Sequence, residues 1–113
     1  MMNNAGAMLS MGHVEWTTVD NYRRQCDVNL FGMIDVTMTF LPLVKKTRGR
    51  IVNTSSCSGR VPFQQIPAYS VSKYGVEAFS DLLRSTKIYN GLLYLGSSGS
   101  VGFTHKSHVK LVM

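Results

Sequence analysis

Between Asn21 and Lys46 the apolar residues Val28, Phe31, Ile34, Met38 and Leu41 recur mostly three to four positions apart. That is the period of a helix with one apolar face, and it predicts a long core helix. Thr17-Thr18-Val19-Asp20 offers capping side chains at its start, where oxygen acceptors satisfy the first backbone N–H groups. Lys45-Lys46 followed by Gly49 suits its end, because cations complement the helix dipole and glycine tolerates the terminal turn. Gly32 and Pro42 weaken the helix locally. The pattern then changes. Gly49-Arg50-Ile51-Val52-Asn53-Thr54 predicts a short buried strand, and a loop follows through Gly59, Pro62 and Pro67. A second helix is expected from about Ala68 to Arg84, with Val76, Phe79, Leu82 and Leu83 as its apolar face. At the start of the chain, Ala5-Gly6-Ala7 permits close approach of the backbone to a ligand, and after it helix, strand and helix follow, an α/β arrangement.

Beyond about Ser85 the character changes. Asn90-Gly91 leads to Leu92–Leu95, a makeshift strand at most, then to the Gly/Ser run 96–100 and a polar, basic end with His105 and His108. This segment reads as a flexible tail, so the chain divides into residues 1–86, a partial α/β domain, and 87–113, the divergent tail.

Composition narrows the class. The chain has 113 residues, 44% of them hydrophobic and 16% charged, which favours a packed chain over a disordered one. Its net charge of +6 is spread over Arg23-Arg24, Lys45 to Arg50, Arg84 to Lys87 and Lys106 to Lys110, without aromatic interleaving. That distribution describes a solvated surface and gives no reason to expect a nucleic-acid partner. The apolar stretch Val28–Val44 is broken by Asn29, Asp35 and Pro42 and falls short of the ~20 residues of a membrane helix, so no membrane span is expected. The opening Met1-Met2-Asn3-Asn4 lacks the basic and apolar regions of a signal peptide. Cys26 and Cys57 have no metal-ligand spacing and are expected as reduced thiols in the core.

The sharpest chemical clue is Tyr69-Ser70-Val71-Ser72-Lys73. Side chains four apart on a helix share a face, so the phenol and the ammonium project toward one point. A phenol ionises near pKa ~10, and a cation within ~4–6 Å favours the phenolate, which would make Tyr69 a working base. Thirteen positions before it, Ser56 ends the run Ile51-Val52-Asn53-Thr54-Ser55-Ser56 and can donate a hydrogen bond to a substrate oxygen. Adjacent strand residues face opposite ways, so one of Ser55 and Ser56 meets Tyr69, and the offset favours Ser56.

Four segments in order, Asn3-Asn4-Ala5-Gly6, Asn29 in Val28-Asn29-Leu30-Phe31-Gly32, Ser56, and Tyr69 with Lys73, resemble the short-chain dehydrogenase/reductase family. Leu41 to Lys46 and Ser72 to Asp81 look most like its retinol and hydroxysteroid dehydrogenase branch. The resemblance implies a partial Rossmann-like, doubly wound parallel sheet, comprising the central and C-terminal half of that fold. It also implies hydride transfer between NAD or NADP and a small lipophilic alcohol or ketone, retinoid- or steroid-like. By the same resemblance Tyr69 exchanges a proton with the substrate oxygen, Ser56 polarises that oxygen, and Lys73 lowers the Tyr pKa and binds the nicotinamide ribose. Asn29 is expected to distort the long helix and hold a water that links Lys73 to solvent. Asn3, Ala5, Gly6, Tyr69 and Lys73 are the expected cofactor contacts, and no metal is expected. The family's Gly-rich phosphate turn falls upstream of Met1, and its Pro-Gly turn is absent after Pro67. This leaves two expectations, a dehydrogenase or a non-catalytic family fragment that associates with full-length relatives. The two long helices form the usual subunit interface of the family, so a homo-oligomer through them is implied, with a cytoplasmic or endoplasmic-reticulum-associated setting.

Several motifs have simpler readings. Asn53-Thr54-Ser55 matches the N-glycosylation pattern but sits on an expected buried strand. His105-Lys106-Ser107-His108 has no acidic or Cys partner nearby and reads as solvated tail. Lys45, Lys46, Arg48 and Arg50 suit a helix end better than a 2′-phosphate contact, and Met8, Met11, Met33 and Met38 read as core or loop filler.

Overall fold

A computed structural model describes residues 1–85, so the tail 87–113, with Leu92–Leu95 and both tail histidines, lies outside the described residues. Two short strands, β1 (Met2–Asn3) and β2 (Val52–Asn53), pair in parallel with Met2 opposite Val52 and Asn3 opposite Asn53. Parallel strands need a long crossover. Here it comprises α1 (Val19–Cys26), a wide π turn (Asp27–Phe31) and α2 (Gly32–Lys46), which form one continuous helical stretch. After β2 comes a 3₁₀ turn at Cys57–Gly59 and then α3 (Pro67–Ser85).

The expected helices are present, with ends set by local chemistry. Thr18 and Asn21 form a reciprocal cap: the Thr18 hydroxyl accepts from the Asn21 N–H and the Asn21 side-chain oxygen accepts from the Thr18 N–H. At the far end Arg48, not Gly49, takes a positive φ of 49°, and the Gly49 N–H closes onto the Val44 carbonyl at 2.8 Å. The wide turn falls at Asn29, where the helix was expected to be distorted.

The apolar face of the long helix is where the structure departs from the periodicity. Gln25, Asn29, Met33, Thr37 and Val44 are buried, while Val28, Phe31 and Met38 are exposed and Ile34 and Leu41 are half-buried. Recurrence shows which residues share a face but cannot say what covers that face. The face that docks here is amphipathic because its polar groups have partners on the neighbouring elements. On α3, Val76 and Leu83 are buried and Phe79 is packed as expected, but Leu82 is exposed. A small apolar core forms from Val44, Ile51 and Leu83, with Met1, Leu41 and Phe79 against it.

A line of side-chain hydrogen bonds ties the layers together. Asn3 Nδ2 donates to Thr37 Oγ1 on α2 and to Asn53 Oδ1 on β2, both at 2.8 Å, and Asn53 Nδ2 donates to Ser80 Oγ on α3 at 2.9 Å. Buried polar groups need such partners. Asn53 is therefore consumed by the interior at 1% exposure, which removes it as a glycosylation acceptor. α3 also packs closely on the π turn: a Cβ at Gly75 would lie 2.5 Å from Leu30 Cδ2.

Val19–Lys46 spans 28 residues with a mean hydropathy of 1.3 in its most apolar window. By length and composition it is long enough to cross a membrane, which corrects the estimate drawn from Val28–Val44 alone. Gln25, Asn29 and Thr37 on this stretch bond the loop after β1, α3 and the sheet, so one of its faces is part of the fold. Both cysteines are free, Cys26 half-buried and Cys57 exposed, so Cys57 is not the core thiol expected.

Candidate active site

The site is assembled from the C-terminal ends of the two strands and the first turns of α3. After β1 the chain runs without regular structure through Asn4, Gly6, Ala7 and Met8; after β2 it passes Thr54, Ser55 and Ser56. These segments, with Phe63, Ile66, Tyr69 and Lys73, line a cavity of about 540 Å³, within the range of small-molecule sites. The Gly12 N–H donates to the Gln65 carbonyl at 2.8 Å and so joins the loop after β1 to the loop before α3. Gly12 has a φ of +148°, a conformation that side-chain-bearing residues rarely adopt.

The helical pair behaves as the spacing predicts. Tyr69 and Lys73 lie on one face of α3, with Lys73 Nζ 5.7 Å from the centre of the Tyr69 ring. Lys73 is 4% exposed, and its ammonium donates to the Thr54 carbonyl at 3.0 Å. Burial pushes its pKa below the ordinary 10.5, because the charged form loses water. An ammonium has three donors, so this bond leaves donor capacity for a ligand in the cavity.

Ser55 and Ser56 both border the cavity, but their hydroxyls have different neighbours. Ser55 Oγ lies 3.5 Å from the Lys73 carbonyl and beside the Glu77 carboxyl, turned toward α3. Ser56 Oγ accepts from the Ser58 N–H at 3.2 Å and lies 3.8 Å from Cys57 Sγ, a weak contact in which either atom can donate, so its O–H can turn to a stronger acceptor. Glu77 continues the series Tyr69, Lys73, Glu77 one turn further along α3 and is 5% exposed. Burial raises its pKa above the ordinary 4.5, offset in part by the Ser55 hydroxyl and the Arg60 guanidinium. Arg60 Nη2 lies 2.6 Å from Glu77 Oε2, yet neither carboxylate oxygen has an aligned hydrogen-bond donor. The pair is thus a close Coulombic contact that holds the loop after β2 to α3.

Of the expected cofactor contacts, Gly6, Tyr69 and Lys73 border the cavity, whereas Asn3 and Ala5 do not. Asn3 is engaged with Thr37 and Asn53; its neighbour Asn4 takes the cavity position and accepts from Thr54 Oγ1 at 2.9 Å. A Cβ at Gly6 would sit in ordinary contact, 3.4 Å from Lys73 Nζ and 3.5 Å from Asn29 Oδ1, so the Gly6 backbone lies beside the ammonium. Asn29 stands behind this loop at 2% exposure. Its Oδ1 accepts from the Ala7 N–H, and its Nδ2 donates to the Ala7 carbonyl and to Ser72 Oγ. Its side chain therefore ties α3 to the loop after β1. Among the described residues no group of three or more His, Cys, Asp or Glu is placed to hold a metal.

Comparison with known proteins gives this arrangement a family. The model for the short chain dehydrogenase family matches residues 1–92. The chain belongs to the short-chain dehydrogenase family. It is 55% identical over 84 residues to 17-beta-hydroxysteroid dehydrogenase type 6 of Bos taurus, covering 74% of this chain and 26% of that protein. To retinol dehydrogenase 16 of Mus musculus it is 50% identical over 92 residues, covering 81% and 29%. The chain thus spans little more than a quarter of the length of these relatives. Among solved structures, a short-chain dehydrogenase from Streptomyces avermitilis superposes with a TM-score of 0.73 at 30% identity, covering 82% of this chain and 35% of that one. ElxO with NADP bound gives 0.65 at 29% identity, covering 69% and 32%. The α/β arrangement of helices on a parallel sheet is accordingly part of the family's Rossmann-like fold.

The short-chain dehydrogenase motifs were legible in the sequence, but Gln25, Asn4 and Glu77 were missed. A signal for two of them exists: Gln25 lies four before Asn29, on the same helix face, and Glu77 lies four beyond Lys73.

Proposed function

We propose that this chain carries the proton-handling half of an oxidoreductase that moves hydride between NAD or NADP and a lipophilic alcohol or ketone of retinoid or steroid type. The observation that carries this reading is the meeting of Ser56, Tyr69 and Lys73 at one cavity. The residues present fit the ribose end of a nicotinamide nucleotide: a buried ammonium with donors to spare at Lys73, bare backbone at Gly6, and the Asn4 amide beside them. When bound, that cofactor supplies the hydride acceptor or donor.

The chain's own part is to hold the substrate oxygen and move its proton. In the oxidation direction Tyr69 as phenolate takes the hydroxyl proton, while Ser56 donates a hydrogen bond that fixes the oxygen's position. Lys73 supports the phenolate electrostatically and holds ribose hydroxyls. Asn29 acts from behind by holding the Gly6–Ala7 backbone. Met8, Phe63 and Ile66 give the cavity an apolar wall, which suits a lipophilic substrate. The names of the relatives, retinol and hydroxysteroid dehydrogenases, support the same substrate class.

In a full-length context Tyr69→Phe is expected to lower kcat/KM at least about a thousandfold while leaving the NAD(P) dissociation constant within about twofold. Turnover retained in that variant defeats the assignment.

A second reading rests on the apolar side chains left exposed on α2 and α3, including Val36, Phe40, Leu43, Val71 and Leu82. Apolar surface of this kind favours association, and a non-catalytic chain that packs on a larger family member would use it. Binding of NAD(P) in a full-length context discriminates the two readings, since only the first requires it.

A further inference from the structure

Gln25 is wholly buried, at 0% exposure, on the inner face of α1, where an apolar residue would be ordinary. A buried primary amide is unfavourable unless both its ends are bonded. Here both are. Nε2 donates to the Ala7 carbonyl at 2.6 Å, and Oε1 accepts from the Leu9 N–H at 2.9 Å. One turn along, Asn29 makes the corresponding pair with Ala7, donating to its carbonyl at 2.9 Å and accepting from its N–H at 2.8 Å. The segment they grip has no regular structure, and its Ala7 and Leu9 backbone groups are held by these amides in place of a strand partner.

We propose that Gln25 is a positioning residue that, with Asn29, sets the Asn4–Leu9 loop against the candidate site. The consequence is geometric. Gly6 and Ala7 border the cavity, and the Gly6 backbone stands close enough to Lys73 Nζ that an added Cβ would touch it. Asn29 also holds Ala7, whereas among the described residues Gln25 is the side chain that bonds the Leu9 backbone, so Gln25 sets the direction in which the chain leaves the site. The loop's position relative to the Lys73 ammonium governs how the ribose end of a nicotinamide nucleotide is received. This part of the inference rests on the proposed dehydrogenase function; the grip on the loop does not.

The test compares Gln25→Leu, which removes both bonds, with Gln25→Glu, which keeps the acceptor for Leu9 but loses the donor to Ala7. Amide hydrogen exchange is measured on the full 113-residue chain, and NAD(P) dissociation constants are measured alongside. In Gln25→Leu the Leu9 amide is expected to exchange roughly tenfold faster or more, while Ala7 and the α3 amides around Val76 keep their protection. In Gln25→Glu the Leu9 amide stays protected. The dissociation constant for NAD(P) is expected to rise about tenfold in Gln25→Leu. Unchanged Leu9 exchange overturns the proposal. So does an increase shared equally by α3, which would make Gln25 a general packing residue. If the wild-type chain binds no NAD(P), the cofactor part of the inference fails, and the exchange of Leu9 still decides the positioning role.

Discussion

Gly59→Ala tests how tightly the loop carrying Ser56 is seated on α3. A Cβ at Gly59 would lie 2.7 Å from Ser55 Oγ, 2.8 Å from the Lys73 carbonyl oxygen and 3.0 Å from Glu77 Cγ. Ser55 can rotate away, but the Lys73 carbonyl belongs to the backbone of α3. Restoring ordinary contact requires the loop to lift by about 0.6 Å, and overpacking of this kind costs about 1–3 kcal/mol. We expect the upper half of that range, about 2 kcal/mol, because the substitution also presses on the contact between Glu77 and Arg60. For a domain of this size that corresponds to a fall in Tm of roughly 8–16 °C. The assay is thermal and urea unfolding followed by circular dichroism, on wild type and variant under identical conditions. Because Ser56 moves with the loop, kcat/KM in a full-length context falls as well. A stability loss under about 0.5 kcal/mol would refute the close seating, and with it the argument that the loop is held rigidly beside Tyr69.

Other consequences follow from the same contacts. Asn53→Ala leaves Asn3 Nδ2 and Ser80 Oγ each without one buried partner, and urea titration is expected to show a loss of about 2–3 kcal/mol. The Glu77 carboxyl binds its proton more tightly folded than unfolded, so its stabilising effect is complete below the ordinary 4.5 and is lost as pH rises through the raised folded value. The difference in stability between wild type and Glu77→Gln should therefore move in favour of the Gln variant as pH rises from 4 toward neutrality, and a difference independent of pH would contradict the raised value. Lys73 has the opposite linkage: its proton is held less tightly folded than unfolded, so its cost is full below the lowered value and eases as pH approaches 10.5. Lys73→Met removes that cost along with the bond to Thr54. We expect a stability change within about 1 kcal/mol and, in a full-length context, a kcat/KM at least about a hundredfold lower.

The sequence by itself determined the elements and the chemistry that local spacing controls. Four residues along a helix place Tyr69 and Lys73 on one face whatever surrounds them, and the hydroxyl and amide side chains of Thr18 and Asn21 cap α1 through contacts three residues apart. These are short-range constraints, so they are readable in the chain. What lies between distant segments was decided by the tertiary structure. Val28, Phe31 and Met38 share a helix face in the sequence, but the face that docks carries Gln25, Asn29 and Thr37, because their partners come from the loop after β1, the sheet and α3. The same holds for Asn3, whose amide is claimed by Thr37 and Asn53, 34 and 50 residues away, while Asn4 faces the cavity instead. Ser55 and Ser56 differ only in which hydroxyl meets the backbone of α3. Burial and hydrogen bonding between remote segments depend on three-dimensional partners that no spacing rule encodes, and those partners separate a residue that holds the fold from one that faces a ligand.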